Sequence, residues 1–513
     1  MHPSCVFKSS LHCSASPNGS FIATLSSSSI VIRSVRSLQT VHSVKLPGDF
    51  SGPISTLAWA LSSKRLLVAN ADQIHVFSAT DSSFHATIRN PVGGSGKSLL
   101  VKFGARDAEI LIYAAFGLKL VIFDLSTSKA VEINNPKLYL PASISRGLSF
   151  QPHTQHLALL TRASGRDVVS IHHPVTRQIQ RSWYPDTADA QGLTWTPDGN
   201  WLLLWESPAH GHKLLLYTPD GQFFRSIGAA NLAGGDDADL EPGIKLCSLS
   251  PDSALCAVGD YSRGVQILNT RTWRTDLSLL HPTTLIPKDT LQVWQEQLGA
   301  PVEGHATRTF IRATQMVSPP SRLGDGKSGC SSFAFDASST LIATKLDDSP
   351  STLWIWDVSA GELRAVLMFH STVNFDWHPA IRELLLVTCQ DENHRGVSFV
   401  WDPLTNGPEP VLLEAHLPDG KLVGKTQSVW INGETESPVL LISDAQRYLM
   451  MSCADAADQC PTPWHEPGGN DRVLGSAREA SSYDQGIEDA DDLSALLVDD
   501  TSTLDDTFSF KNP

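Results

Sequence analysis

Short apolar runs alternate with polar clusters along most of this chain, and the stretch 330–369, CSSFAFDASSTLIATKLDDSPSTLWIWDVSAGELRAVLMF, shows the pattern most clearly. Phe333 and Phe335 alternate with small residues and run into a polar turn, Asp336 to Ser339. A second run, Leu341 to Thr344, leads through a loop from Asp347 to Ser351 into a third run that ends in Trp356-Asp357. A turn at Ala360-Gly361 opens a fourth run, Leu363 to Phe369. Period-two alternation in short runs, punctuated by turn residues and lacking helical spacing, predicts four strands. A Trp-Asp pair closing the third strand is the mark of a propeller blade.

The third-strand end recurs along the chain. Trp356 is matched by Arg33, Phe77, Phe123, His172, Tyr217, Leu268 and Trp401, at spacings of 44, 46, 49, 45, 51, 88 and 45 residues. The outlying 88 equals one repeat plus an insertion, at 283–328. First strands recur too, as LHCSASPNG, LAWALSS, VKFGARD, LSFQPHT, LTWTPDG, CSLSPDS, FAFDASS and FDWHPAI, with Pro, Asn, Asp and Gly supplying the turns that follow. A four-strand period of this length predicts an all-β fold, a β-propeller of about seven to nine four-stranded units. The units fall near 9–46, 54–90, 98–136, 145–185, 190–228, 244–282, 330–371, 372–414 and 427–452. The ninth lacks a fourth strand of its own, and residues 5–8 are expected to supply it, which would remove two exposed edges.

Charge divides the chain at 452/453. The whole carries 54 acidic and 39 basic residues; from Cys453 onward there are 14 acidic and three basic, leaving 40 and 36 before it. Residues 1–452 are therefore read as the propeller, and 453–513 as an acidic tail too poor in apolar surface to order itself. Within the tail, Leu493, Leu496 and Leu497 fall at helical spacing, and Phe508 and Phe510 sit near its end; these five are the candidate partner motif. A near-neutral propeller argues against nucleic-acid binding, which needs basic surface. The sequence has no long apolar span, so no membrane association is expected, and the start MHPSCVFKSS lacks the apolar run of a leader. Eight scattered cysteines, none in CxxC spacing, read as reduced thiols.

Candidate chemistry is sparse. GGSGKS at 93–98 resembles a phosphate loop, but Pro91 stands where the leading Gly is needed and a strand-like run follows, so it reads as a loop between blades. The pairs His153/His156, His172/His173 and His210/His212 have no third ligand at metal spacing. Asp347/Asp348 lie in a turn. No nucleophile, base and orienting group assemble, so no enzyme activity, cofactor or small-molecule substrate is expected. Phe123, Asp124, Trp356, Asp357, Trp401 and Asp402 are read as structural blade-signature residues. The insertion 283–328 is expected to be a surface loop or, as the sharper reading, a binding element, with DTLQVWQEQL a short helix or strand and TRTFIRATQM a strand.

The sixth unit, GIKLCSLSPDSALCAVGDYSRGVQILNTRTWRTDLSLLHP, resembles one WD-repeat family, as do VFKSSLHCSASPNGSFIA and LTWTPDGNWLLLWE. In that family, too, the sixth unit is followed by a long insertion and then a unit ending in WIWD. It is the family of the centrosomal WD-repeat protein eight, the WRAP type, and the weak WD signatures suggest a fungal member. The likeness covers about residues 5–450. It implies a non-enzymatic scaffold at the spindle pole body or centrosome that anchors microtubule minus ends. The partners it implies are a coiled-coil anchoring protein and a minus-end-directed kinesin. The residues alone leave other classes open: a substrate receptor of a ubiquitin ligase, an RNA-processing scaffold, or a propeller enzyme with a site in its central channel.

Overall fold

The structure is a computed structural model, and one compact unit spans Met1–His465. Residues 1–464 are described except 27, 51, 92–97, 115–117, 139–145, 229–242, 300–307, 322–328, 382, 432–436 and 455–461. The tail residues Leu493, Leu496, Leu497, Phe508 and Phe510 and most of GGSGKS lie outside the described residues.

The described strands form nine sheets; eight hold a four-stranded antiparallel meander, at 13–45, 56–89, 98–134, 148–183, 190–228, 244–280, 330–368 and 373–412, and the ninth holds a three-stranded one at 427–452. They are numbered here as blades 1 to 9. Arg33, Phe77, Phe123, His172, Tyr217, Leu268, Trp356 and Trp401 all lie in third strands. Second and third strands carry the runs of Leu, Ile, Val and Ala that are fully buried, because each blade is covered on both faces by its neighbours. Most fourth strands alternate or are exposed outright, as in Thr40–Lys45, Lys129–Asn134 and Ile179–Trp183; Glu362–Met368 ends in a buried run. First strands of several successive blades lie against one another, which places them nearest the axis.

The core is a circle of nine apolar clusters, each filling the seam between one blade and the next. Ala23, Ile30 and Ile32 of blade 1 meet Trp59, Leu66 and Val68 of blade 2, and so on around the circle. The last cluster joins Leu441, Tyr448 and Met450 of blade 9 to Cys13 and Ile22 of blade 1. The nine sheets therefore close into a single ring, which decides the blade count.

Closure is made by the N-terminus. His2–Pro3 and Phe7–Lys8 both pair antiparallel with Arg447–Ser452, so the first residues of the chain complete the last blade. Ser4 donates its amide to the Met450 carbonyl, and Phe7 stacks on Tyr448 at 5.1 Å. The chain leaving blade 9 turns back onto the same seam. Trp464, beyond the expected boundary at 452, is 2 % exposed in the cluster between blades 9 and 1.

The insertion is not a simple loop. Gln292–Leu298 and Arg308–Arg312 form a hairpin, and the first of these strands pairs in parallel with Glu362–Met368, the fourth strand of blade 7. Blade 7 thus grows to six strands. One face of the hairpin presents Trp294, Glu296 and Phe310 to blade 8. Phe310 meets Phe369 and Phe399 edge-on at 5.3 and 5.4 Å. The Trp294 ring lies over Gly407, where a Cβ would come within 2.8 Å of the ring and where φ is +98°, so glycine is required twice over.

A recurrent tryptophan ties the inner strands together. Trp59, Trp377 and Trp430 each end a first strand, and each donates its indole N–H to a carbonyl in the first strand of the preceding blade. The acceptors are Ser14, Ala334 and Asp376, at 2.9–3.1 Å.

Candidate interaction face

The two faces of the ring differ in their connections. On one, first-to-second and third-to-fourth turns are short and knit to their neighbours. Ser16 and Asn18, Thr196 and Asp198, and Ser250 and Asp252 form matching turn hydrogen bonds at 2.5–2.8 Å. Asn18 reaches Ser63 of blade 2, and Asp252 reaches Ser339 of blade 7. The signature carboxylates belong here. Asp124 accepts from Ser126, Asp357 from Ser359 and Ala360, and Asp402 from Leu404, each holding the turn that follows its own strand. The signature rings lie within the seams: Trp401 is fully buried, Trp356 nearly so, and Phe123 half-buried.

On the opposite face lie the strand ends that flank the longer connections between blades, at 89 and 98, 134 and 148, 228 and 244, and 280 and 330. Loops of this length on a rigid frame are where a scaffold presents binding residues. Buried or half-buried ion pairs anchor this face. Lys137 bridges Asp167 at 2.8 Å and Asp189 at 2.7 Å, and Asp167 also accepts the Ala190 amide. The Glu206 carboxylate accepts the amides of Ala188, Asp189 and Ser207. Asp347 and Asp348, read from sequence as turn formers, instead hold Lys245 and Arg263 of blade 6. That role was invisible in sequence because each partner lies more than 80 residues away.

A polar relay buried in the seam joins blades 6 and 7. The Trp356 indole N–H donates to Thr344 Oγ1 at 3.2 Å, and Thr344 donates to His281 Nε2 at 2.7 Å. His281 Nδ1–H in turn donates to the Arg263 carbonyl at 2.6 Å. This assignment satisfies every hydrogen with a neutral imidazole. Burial pushes His281 down to about 4, consistent with that form. Trp356 stood out in the sequence as a blade-signature residue; nothing in the spacing showed that it meets His281 through Thr344.

The hairpin meets blade 8 through a second buried cluster. Glu296 accepts from Arg308 Nη1 at 2.8 Å, from His394 Nε2 at 2.9 Å and from the His370 amide at 2.8 Å. Burial alone would push Glu296 up; the hydrogen bonds from His394, the His370 amide and Arg308 overcome it and hold the carboxyl at about 2. Beside it, Arg395 and Lys421 line an open cavity of about 500 Å³ together with Glu392, Glu414 and Leu422.

A catalytic site in a propeller would sit in its central channel. Its walls are the first strands, and two ionisable groups there are Lys102 and Asp376. Partial desolvation lowers the half-buried lysine and raises the aspartate, whose side chain is nonetheless exposed. Among the described residues no three His, Cys, Asp or Glu side chains gather to hold a metal ion. No helix among them is long and apolar enough to cross a membrane.

A closed ring of four-stranded blades with Trp-Asp turn signatures defines a WD-repeat β-propeller, an architecture that serves as a platform for protein partners. No family model matches the chain. It is similar to the WD repeat-containing protein WRAP73 of Mus musculus, 27 % identical over 420 residues, covering 77 % of this chain and 85 % of that protein. It is also similar to an uncharacterized WD repeat-containing protein, C32H8.09, of Schizosaccharomyces pombe, 24 % identical over 397 residues, with 74 % and 76 % covered. These relatives, one mammalian and one fungal, bear out the resemblance to the WRAP-type WD-repeat proteins. Among solved structures, a eukaryotic initiation factor superposes with a TM-score of 0.47 at 12 % identity, covering 78 % of this chain and 86 % of that one. The Dos1 propeller does so with 0.45 at 12 %, covering 81 % and 95 %.

Proposed function

We propose that this protein is a non-enzymatic scaffold of the microtubule-organising centre, the spindle pole body or centrosome, where it helps anchor microtubule minus ends. In this reading it works through a coiled-coil anchoring partner, with a minus-end-directed kinesin as a further partner. The supporting observation is the similarity to WRAP73 over most of the chain, carried on a closed ring of blades. Charge favours an indirect link to microtubules. The first 452 residues are slightly acidic and the remainder strongly so, and neither attracts an acidic polymer lattice. The tail residues Leu493, Leu496, Leu497, Phe508 and Phe510 are proposed as a second, linear docking motif on the strength of their spacing.

Proximity labelling in cells tests the proposal directly. Spindle-pole and microtubule-anchoring proteins are the expected neighbours. Enrichment of ubiquitin-ligase or RNA-processing subunits in their place would overturn it in favour of an assembly scaffold of another complex. The purified chain alone is expected to stay in the supernatant when microtubules are pelleted at physiological salt.

A further inference from the structure

His394 stands between two carboxylates. Its Nε2 lies 2.9 Å from Glu296 Oε1 on the insertion hairpin, and its Nδ1 lies 2.5 Å from Asp391 Oδ1 on blade 8. The Glu296 and His394 side chains are 0 % and 2 % exposed, while Asp391 is open to water at 39 %. A neutral imidazole has one N–H and cannot donate to both carboxylates; the imidazolium has two and can. Arg308 Nη1 sits 2.8 Å from the same Glu296 oxygen and 2.7 Å from His394 Nε2. It is placed to donate to Nε2 when that nitrogen is bare, and to Glu296 alone when it carries a proton. One proton therefore chooses between two hydrogen-bond patterns across the seam between hairpin and blade.

We propose that His394 is a proton-dependent latch. As imidazolium it joins Glu296 of the hairpin to Asp391 of blade 8, and on losing its proton it surrenders the link to Glu296. Among the described residues, Arg308 of the hairpin lies against the same pair, Cys389 sits in the strand before it, and the His370 amide comes from the connection between blades 7 and 8; the exposed Glu392 belongs to its own turn. Burial, aided by the Glu296 and Asp391 charges, pushes Cys389 up to about 12, so the thiol stays neutral across the relevant range. Burial of His394 favours the neutral ring, but the hydrogen bonds to Glu296 and Asp391 outweigh it and raise the imidazole above its ordinary value. The closed hairpin then binds a proton more tightly than the open one. Closure is strongest below the ordinary histidine value of about 6.5 and weakens as pH rises through the closed-state value.

Hydrogen exchange on the full chain between pH 6 and 8.5, corrected for the intrinsic rate, tests this. Amides of 292–298 and 308–312 should open more often as pH rises, about tenfold for each unit by which the closed-state value exceeds the open one. Amides of Leu341–Leu346, deeper in the same sheet, should not change. In His394→Gln the hairpin should open at the high-pH level throughout. NMR titration of His394 in the unmodified protein should give a midpoint above 6.5. A flat exchange profile in the native chain, a slope that survives in His394→Gln, or a midpoint at or below 6.5 would each overturn the proposal. The native-chain measurements decide the matter even if the variant does not fold.

Discussion

Arg177, in the last turn of blade 4, reaches back to blade 3 and lies bidentate on Glu109, its Nη2 2.8 Å from Oε2 and its Nε on Oε1. The side chains are 2 % and 1 % exposed, so neither charge has water to fall back on. Arg177 Nη1 also holds the Gln155 carbonyl at 2.8 Å, and Glu109 Oε2 accepts the Ala105 amide. Glu109→Ala or Arg177→Ala alone should cost about 3–5 kcal/mol, because the remaining partner is buried unpaired. The double apolar variant Glu109→Leu/Arg177→Met should recover most of that loss. Denaturant unfolding of the four proteins checks this; additive single losses would show that the two residues are not coupled.

Trp356 should be costly to truncate. Trp356→Ala removes a buried ring and is expected to lose about 3–5 kcal/mol. Trp356→Phe keeps an aromatic ring, though a smaller one, and leaves Thr344 without its indole donor, for a smaller loss of about 1–2 kcal/mol. Partner binding by whatever fraction stays folded should be unchanged. A variant of native stability that no longer binds partners would make Trp356 a contact residue instead.

Acid should destabilise the ring through its buried neutral histidines. Burial pushes His281, His75 and His378 down to about 4, aided at His75 by the nearby His85. Since the folded value lies below the unfolded one of about 6.5, each contributes stability that is fully present above 6.5 and is lost as pH falls towards 4. Stability measured by urea unfolding should therefore drop over that window. His281→Gln should flatten the drop while lowering stability at neutral pH. The latch at His394 has the opposite sign, so the hairpin loosens at the alkaline end, where these histidines favour the fold.

Removing residues 1–8 should lower the thermal midpoint sharply, because it deletes the strands that pair with Arg447–Ser452 and the Phe7–Tyr448 stack. A loss of about 3–5 kcal/mol is expected, comparable to removing a buried aromatic side chain. An unchanged midpoint in differential scanning calorimetry would show that the ring holds without this strand.

The blade pattern was legible because it is local. Alternation within a strand and a turn cluster after it lie within a few residues, and the physics of pleat and turn acts at that range. The third-strand register could thus be followed from Arg33 to Trp401 even where the Trp-Asp signature had decayed to His172 or Leu268. Parts of the candidate face were legible one partner at a time. Trp356 and Asp348 each stood out or were noted, but Thr344, His281 and Arg263, which complete their contacts, carried no sign of that role.

The sequence by itself determined an all-β chain of repeated four-strand units and a divided charge, because strand period, turn residues and composition are properties of neighbouring positions. The tertiary structure decided that nine units close one ring, that Trp464 returns to its seam, and that the insertion is a hairpin held on blade 8 by Glu296, Arg308 and His394. These outcomes depend on pairing and burial between residues tens to hundreds of positions apart. Whether such groups meet is fixed by how the blades pack, and no local pattern records it.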